Sequence, residues 1–227
     1  MRQKRIIDTT RSFLHTHCMK EWWPALEANL QVLHYKKNET IIAEGDTVAG
    51  IYFMLDGVAK VHKIWHEDKE LILRFAHNQD ILGHRGLSTT TSNYPITATA
   101  LTQVSLCYIS LDFFEATFKV NKDFAYHFMM FLADELQLSE IRMRNLAHMT
   151  VRARLASALL AFERKFGRDT EGYIAFTISR HDIAAYVGTA YETVYKIINE
   201  FTELEYIKTE AKNIALLNHE AIAAAIC

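Results

Sequence analysis

The sequence predicts an α+β protein in three consecutive parts, and three observations carry that expectation. Short β-type runs punctuated by glycine fill residues 31–110. An amphipathic pattern of helical period follows over 111–149. Then Phe176–Asn199, FTISRHDIAAYVGTAYETVYKIIN, reads as a helix, a tight turn and a second helix. With 227 residues, 50% of them hydrophobic and 23% charged, the chain has room for two modest folded domains and is not a disordered one.

At the N-terminus, MRQKRIIDTTRSFL carries basic residues without an apolar stretch and cleavage site, so no secretion signal is expected. No apolar run approaches membrane-spanning length. Cys18, Cys107 and Cys227 are too scattered for a disulfide scaffold, and a cytoplasmic location fits. Residues 6–30 read as helical. Phe13, Leu14, Trp22, Trp23, Leu26 and Leu30 supply apolar area, and Pro24 opens a turn. His15, His17 and Cys18 offer three ligands on one short stretch, where a metal needs a converging set, so no metal site is expected.

The β-type runs are Val32, Thr40–Ile42, Ile51–Leu55, Val58–Ile64, Leu71–Phe75, Ile96–Ala100 and Val104–Ile109. Asp56-Gly57 signals a tight turn and His66–Lys69 a polar hairpin tip. Five of the eight glycines fall here, and the pattern fits a barrel, sandwich or roll.

Over 111–149, Ala125, Met129, Leu132, Leu136, Ser139, Met143 and Leu146 recur at steps of four and three, a heptad seam. Phe124, Phe128, Phe131 and Leu138 form a second stripe suited to packing on the β region. Two stripes suit a helix shared between its own domain and a partner subunit.

Thr150 then caps a helix over Val151–Phe166, which Gly167 ends. Gly172–Ile178 is a short strand or turn. Ser179 caps the next helix, with Asp182 three residues on. Gly188 takes the left-handed turn, and Thr189 caps the helix Ala190–Asn199. Leu204–Thr209 and Asn213–Leu217 form a wing joined by Glu210–Lys212, and Glu220–Ile226 a tail helix. The result is a winged helix-turn-helix.

The segment SRHDIAAYVGTAYETVYKII, from Ser179, resembles the Crp/Fnr transcription factors, whose pattern is roughly TRxxIAxxxGxxRETVxRxL. Arg180, Ile183, Ala184, Gly188, Glu192, Thr193 and Val194 carry the match. AEGDTVAGIYFMLDGVAKV, from Ala43, resembles the same family's cyclic-nucleotide-binding roll through Gly45, Tyr52, Gly57 and Val61. The resemblance implies an N-terminal double-stranded β-helix or jelly-roll over 1–110, a dimerisation helix over 111–149 and a DNA-binding winged helix over 150–227. It implies a homodimer on double-stranded DNA, contact with RNA polymerase and a small-molecule effector, and no membrane.

Cyclic-nucleotide binders carry a segment like GELxLxxxxxRxAxxxA. Here Gly83–Ala100 reads GHRGLSTTTSNYPITATA. His84 replaces the ribose-binding Glu. Pro95, Ile96 or Thr97 stands near the place of the phosphate-binding Arg, and none carries its charge. Cyclic AMP is therefore disfavoured and the effector is unknown. The candidate effector residues are Gly83, His84, Arg85, Leu87, Ser88, Thr97 and Thr99. An iron–sulfur cluster needs four ligands where three cysteines exist, and His77 is a loop histidine more than a haem ligand.

Within the helix-turn-helix, the family's recognition residues fall on Tyr191, Glu192 and Lys196, with Tyr195 beside them. Tyr191 cannot make the paired guanine contact of an arginine, whereas Glu192 can accept from a cytosine amino group or pair with Lys196. Arg180, Lys208 and Lys212 are phosphate-contact candidates, and Thr189 opens the helix. The net charge of −2, with nine basic against ten acidic residues after Met149, makes local clustering decisive. An enzyme is not expected: H-E-x-x-H, P-loop, nucleophile elbow and dinucleotide fingerprint are all missing from the sequence. The second reading is a roll whose winged helix contacts protein in place of DNA.

Overall fold

A computed structural model describes residue 9 and residues 12–66 and 69–226. The start of the sequence, the centre of the His66–Lys69 tip and Cys227 lie outside the described residues. The chain divides into two compact units, one from residues up to Lys63 plus Leu73–Glu135, the other from Ile64–Ile72 plus residues from Leu136 on.

In the first unit, α1 (Phe13–His17) and α2 (Trp23–Asn29) flank a 3₁₀ turn, Lys20–Trp22. Eight strands follow: β1 (Gln31–Tyr35), β2 (Thr40–Ile42), β3 (Gly50–Asp56), β4 (Ala59–Ile64), β5 (Glu70–Ala76), β6 (Ile81–Leu82), β7 (Thr97–Ala100) and β8 (Val104–Ser110). They form two four-stranded sheets, ordered β1-β8-β3-β6 and β2-β7-β4-β5. This is the β-roll. Strands β3 and β8 are apolar on both faces because each face meets a core. Tyr52, Met54, Val104 and Leu106 point into the interior with Val61, Tyr94, Ile96 and Ala98. Ile51, Phe53, Cys107 and Ile109 point the other way, onto Leu14, Leu26, Phe114, Phe124 and Phe128. The two-residue strand β6 has no counterpart among the expected β-type runs.

Gly57 turns the chain at φ +91° from β3 in one sheet to β4 in the other, and a Cβ there would lie 2.3 Å from the Gln103 carbonyl, so only glycine fits.

The single helix expected over 111–149 is two: α3 (Leu111–Val120) and α4 (Lys122–His148). Asn121 breaks it. Its extended backbone ends α3, its buried Oδ1 accepts from the Met19 amide at 3.1 Å, and its Nδ2 donates to the Thr117 carbonyl at 3.1 Å. The roll-facing stripe holds through Phe124, Phe128 and Phe131, but Leu138 is 61% exposed and does not extend it. On the same face, one turn beyond Phe131, stands Glu135.

The second unit builds a winged helix: α5 (Val151–Phe166), α6 (Arg180–Val187), α7 (Tyr191–Glu203), the wing strands β9 (Ile207–Glu210) and β10 (Asn213–Leu216), and α8 (His219–Ala224). Thr150 caps α5 through its hydroxyl, as expected. Gly172–Ile178 contributes one bridge, Ile174 to Arg168, and not a strand. Among the described residues no helix is long and apolar enough to cross a membrane.

Candidate nucleic-acid interface

Ser179 starts α6. Its Oγ accepts from the Asp182 amide at 3.0 Å and donates to the Asp182 carboxylate at 2.5 Å. Gly188 ends it in the left-handed region, φ +74° and ψ 52°. A Cβ on Gly188 would lie 2.9 Å from Leu146, so the turn closes only on glycine. Leu146, expected in the dimer seam, thus packs under the turn. Arg154 fastens the same turn from α5. It donates to the carbonyls of Val187 at 2.8 Å, Met149 at 2.8 Å, Gly188 at 3.3 Å and Leu146 at 3.4 Å. Arg142 of α4 donates to the Tyr186 carbonyl at 2.6 Å and to the Ile72 carbonyl, and lies over the Tyr186 ring. Neither arginine is legible from motif or periodicity, because their partners are backbone carbonyls.

Thr189 does not cap α7. Ala190 occupies the cap position without a side-chain bond, and Thr189 sits half-buried one residue earlier. Helix α7 is sharply two-faced. Val194, Ile197, Ile198 and Phe201 are buried, while Glu192, Tyr195 and Lys196 are exposed. Tyr191 stacks on His181 of α6, with centroids 4.4 Å apart and planes 19° from parallel. Tyr195 continues the stack at 6.1 Å. His181 was not among the sequence candidates.

Arg180 is half-buried, and burial pulls its pKa below the usual value. Its Nη1 donates to the Lys212 carbonyl at 3.0 Å, so it holds the wing turn to α6. The side chains of Lys208 and Lys212 are exposed on that wing. The neighbouring Tyr173 raises the pKa of Lys208 above the usual value, and the ammonium lies 5.5 Å from that ring's centre.

The effector candidates do not all converge. Ala98 and Ala100 of β7 face the interior, so the alternating Thr97 and Thr99 face away from it. Thr97 accepts from the Glu44 amide at 3.1 Å, and Thr99 lies 2.9 Å from His62 Nε2. Ser88 is exposed and bonds locally with Thr90 and Thr91. Leu87 is half-buried against the helical core. Gly83, at φ +87°, opens the 3₁₀ turn His84–Gly86. Tyr94 packs beneath it, donating to the Gly50 carbonyl at 2.8 Å. His84 and Arg85 do converge, on Glu135 and on Arg74 of β5, two residues that the sequence reading passed over. His77 is tied to Asp80, Nδ1 to carboxylate at 3.2 Å. Burial pushes the Cys18 and Cys107 thiols up to about 12.

Of the dimer candidates on α4, Met129, Leu132, Leu136, Ser139 and Met143 are exposed and Ala125 is half-buried. Tyr126, Met130 and Ile141 add exposed apolar area to the same helix.

Family comparison agrees with this geometry. Residues 32–121 match the cyclic nucleotide-binding domain, and residues 153–225 match the Crp-like helix-turn-helix domain. The chain is 25% identical over 193 residues to the transcriptional activator protein FnrA of Stutzerimonas stutzeri, covering 83% of this chain and 78% of that protein. It is 27% identical over 197 residues to the cAMP-activated global transcriptional regulator CRP of Salmonella typhimurium, covering 85% and 94%. The structure of FixK2 from Bradyrhizobium japonicum superposes with a TM-score of 0.78 at 23% identity, covering 87% of this chain and 98% of that one. The paired domain matches, the roll and the two-faced α7 behind its glycine turn place this chain in the Crp/Fnr family of DNA-binding transcriptional regulators.

Proposed function

We propose that this regulator works as a cytoplasmic homodimer that reads a two-fold operator with α7, under the influence of its roll. The observation that carries the reading is α7 itself. One face is sealed into the core by Val194, Ile197, Ile198 and Phe201, and the other presents Tyr191, Glu192, Tyr195 and Lys196. Glu192 specifies a C·G pair by accepting from the cytosine amino group. Lys196 contacts base or phosphate. Lys208 and Lys212 supply phosphate contacts, which set register and not sequence.

What supports the dimer is the exposed stripe of Met129, Leu132, Leu136 and Met143, an apolar face that a monomer would leave in water. Ala125 and Ser139 are small enough to let a second helix approach. In this reading residues 1–110 form the regulatory part, 111–149 the dimerisation segment and 150–227 the DNA-binding part. Contact with RNA polymerase follows from the family.

Selection of bound duplexes from a random pool by the purified protein tests the reading. The expected product is a palindrome whose half-site centres lie about 34–36 Å apart or a multiple of that. An unenriched pool contradicts it.

A further inference from the structure

A buried ionic cluster lies inside the first unit. Glu135 extends the Phe124–Phe128–Phe131 face of α4, and its carboxylate is only 13% exposed. Glu135 Oε2 accepts from Arg85 Nη2 at 3.1 Å and lies 3.5 Å from both Arg74 Nε and His84 Nε2. Arg74 also donates to the Ile81 carbonyl and stands 3.7 Å from Asp80. His84 donates through Nδ1 to the Ile81 carbonyl at 3.1 Å and meets the Phe131 ring edge-on. Charges therefore close within the cluster: two guanidiniums from β5 and the 3₁₀ turn, two carboxylates from Asp80 and Glu135. Burial lowers the pKa of His84, against the pull of Glu135. Without Glu135, Arg85 would lose this carboxylate and Arg74 would keep Asp80 at 3.7 Å, in a largely buried place.

We infer that Glu135 is an intramolecular ligand, its carboxylate filling the anion position built by Arg74 and Arg85 beside His84, so that the roll closes on α4 without an added effector. The inference rests on the regulatory reading of the roll, and it names how that regulation is set. A small anion of the carboxylate class fits this position only when the Glu135 side chain is gone. DNA binding by the wild type then requires no small molecule.

Thermal melts of the full-length protein and its Glu135→Ala variant, titrated with acetate against chloride at constant ionic strength, test the site directly. The variant should melt roughly 6–15 °C lower, as for removal of one partner from a buried charge cluster. Acetate should recover part of that loss saturably, chloride should not, and the wild type should show no acetate-specific gain. A variant that melts like the wild type, or gains nothing from acetate, overturns the inference. So does a wild type that acetate stabilises equally.

A double-mutant cycle covers the case of a variant that does not fold. Glu135→Gln and Arg85→Gln should be strongly non-additive, the pair losing less than the sum of the singles. Additive losses overturn the inference. These melts contain no DNA, so they stand or fall separately from operator binding. In the DNA arm, ligand-free wild type should bind its selected operator, and cyclic AMP should leave the affinity unchanged. A tenfold or greater gain on adding cyclic AMP overturns ligand-free closure.

Discussion

The Tyr191 ring lies nearly parallel to the ring of His181, their centroids 4.4 Å apart, at the start of α7. Tyr195 extends the stack by one helical turn. Three rings thus hold one another in place where the family carries an arginine. A side chain already stacked loses little freedom on docking.

Tyr191→Arg should move the preferred base opposite this position to guanine, through paired bonds to O6 and N7 worth about 1–3 kcal/mol. Duplex selection with wild type and variant in parallel measures it. An unchanged consensus would place residue 191 away from the base edges.

Gly188→Ala tests the turn that aims α7. The substitution puts a Cβ at φ +74° and 2.9 Å from Leu146. Left-handed backbone costs an L-residue roughly 1–2 kcal/mol, and the contact adds to that. Urea melts should show a loss of about 2 kcal/mol or more. A loss below half of that would mean that the turn relaxes freely.

Much of this architecture was legible in the sequence, for physical reasons that also set the limit. Apolar period located the strands flanking Gly57 and the buried face of α7, because burial demands it. Gly188 was legible because one backbone conformation requires glycine. Asn121 was not, since a lone polar residue inside a helical pattern announces a break only when Met19 arrives to bond it. The Thr189 cap failed because the helix starts one residue later than the capping pattern suggested. Glu135 was passed over because stripe counting looks for apolar residues. Its partners come from two elements, Arg74 from β5 and His84 and Arg85 from the 3₁₀ turn, that only the roll brings together. Thr97 and Thr99 misled because the β7 alternation sends them away from the interior.

The dimer seam yields a third prediction. Leu132→Glu with Leu136→Glu would bury unpaired carboxylates between two helices and should give folded monomers. Sedimentation equilibrium reads the mass. A wild type that is monomeric at micromolar concentration contradicts the dimer, as does a dimeric double variant.

Acid should weaken the first unit through Glu135. Burial alone would raise its pKa, but the neighbouring His84, Arg74 and Arg85 outweigh burial and hold it at about 2, from an ordinary 4.5. A depressed carboxylate contributes its stability in full above 4.5 and loses it as pH falls from 4.5 towards 2. The increment is on the order of 3 kcal/mol. Urea midpoints taken from pH 5.5 downward should fall more steeply for wild type than for Glu135→Gln, the curves converging at the acid end. Parallel curves contradict the assignment.

The central claim is that α7 reads bases while the wing holds the backbone, and one set of fluorescence-anisotropy titrations tests it most directly. The selected operator, its C·G variants and random DNA are titrated at several salt concentrations with wild type, Glu192→Ala and Lys208→Ala. Glu192→Ala should lose roughly 1–3 kcal/mol of preference at one pair per half-site, with non-specific affinity held or slightly raised. Lys208→Ala should weaken every duplex alike and flatten the salt dependence by about one unit per lost phosphate contact in each subunit. If Glu192→Ala weakens all duplexes equally and changes no base preference, α7 is not the reading element and the account is wrong.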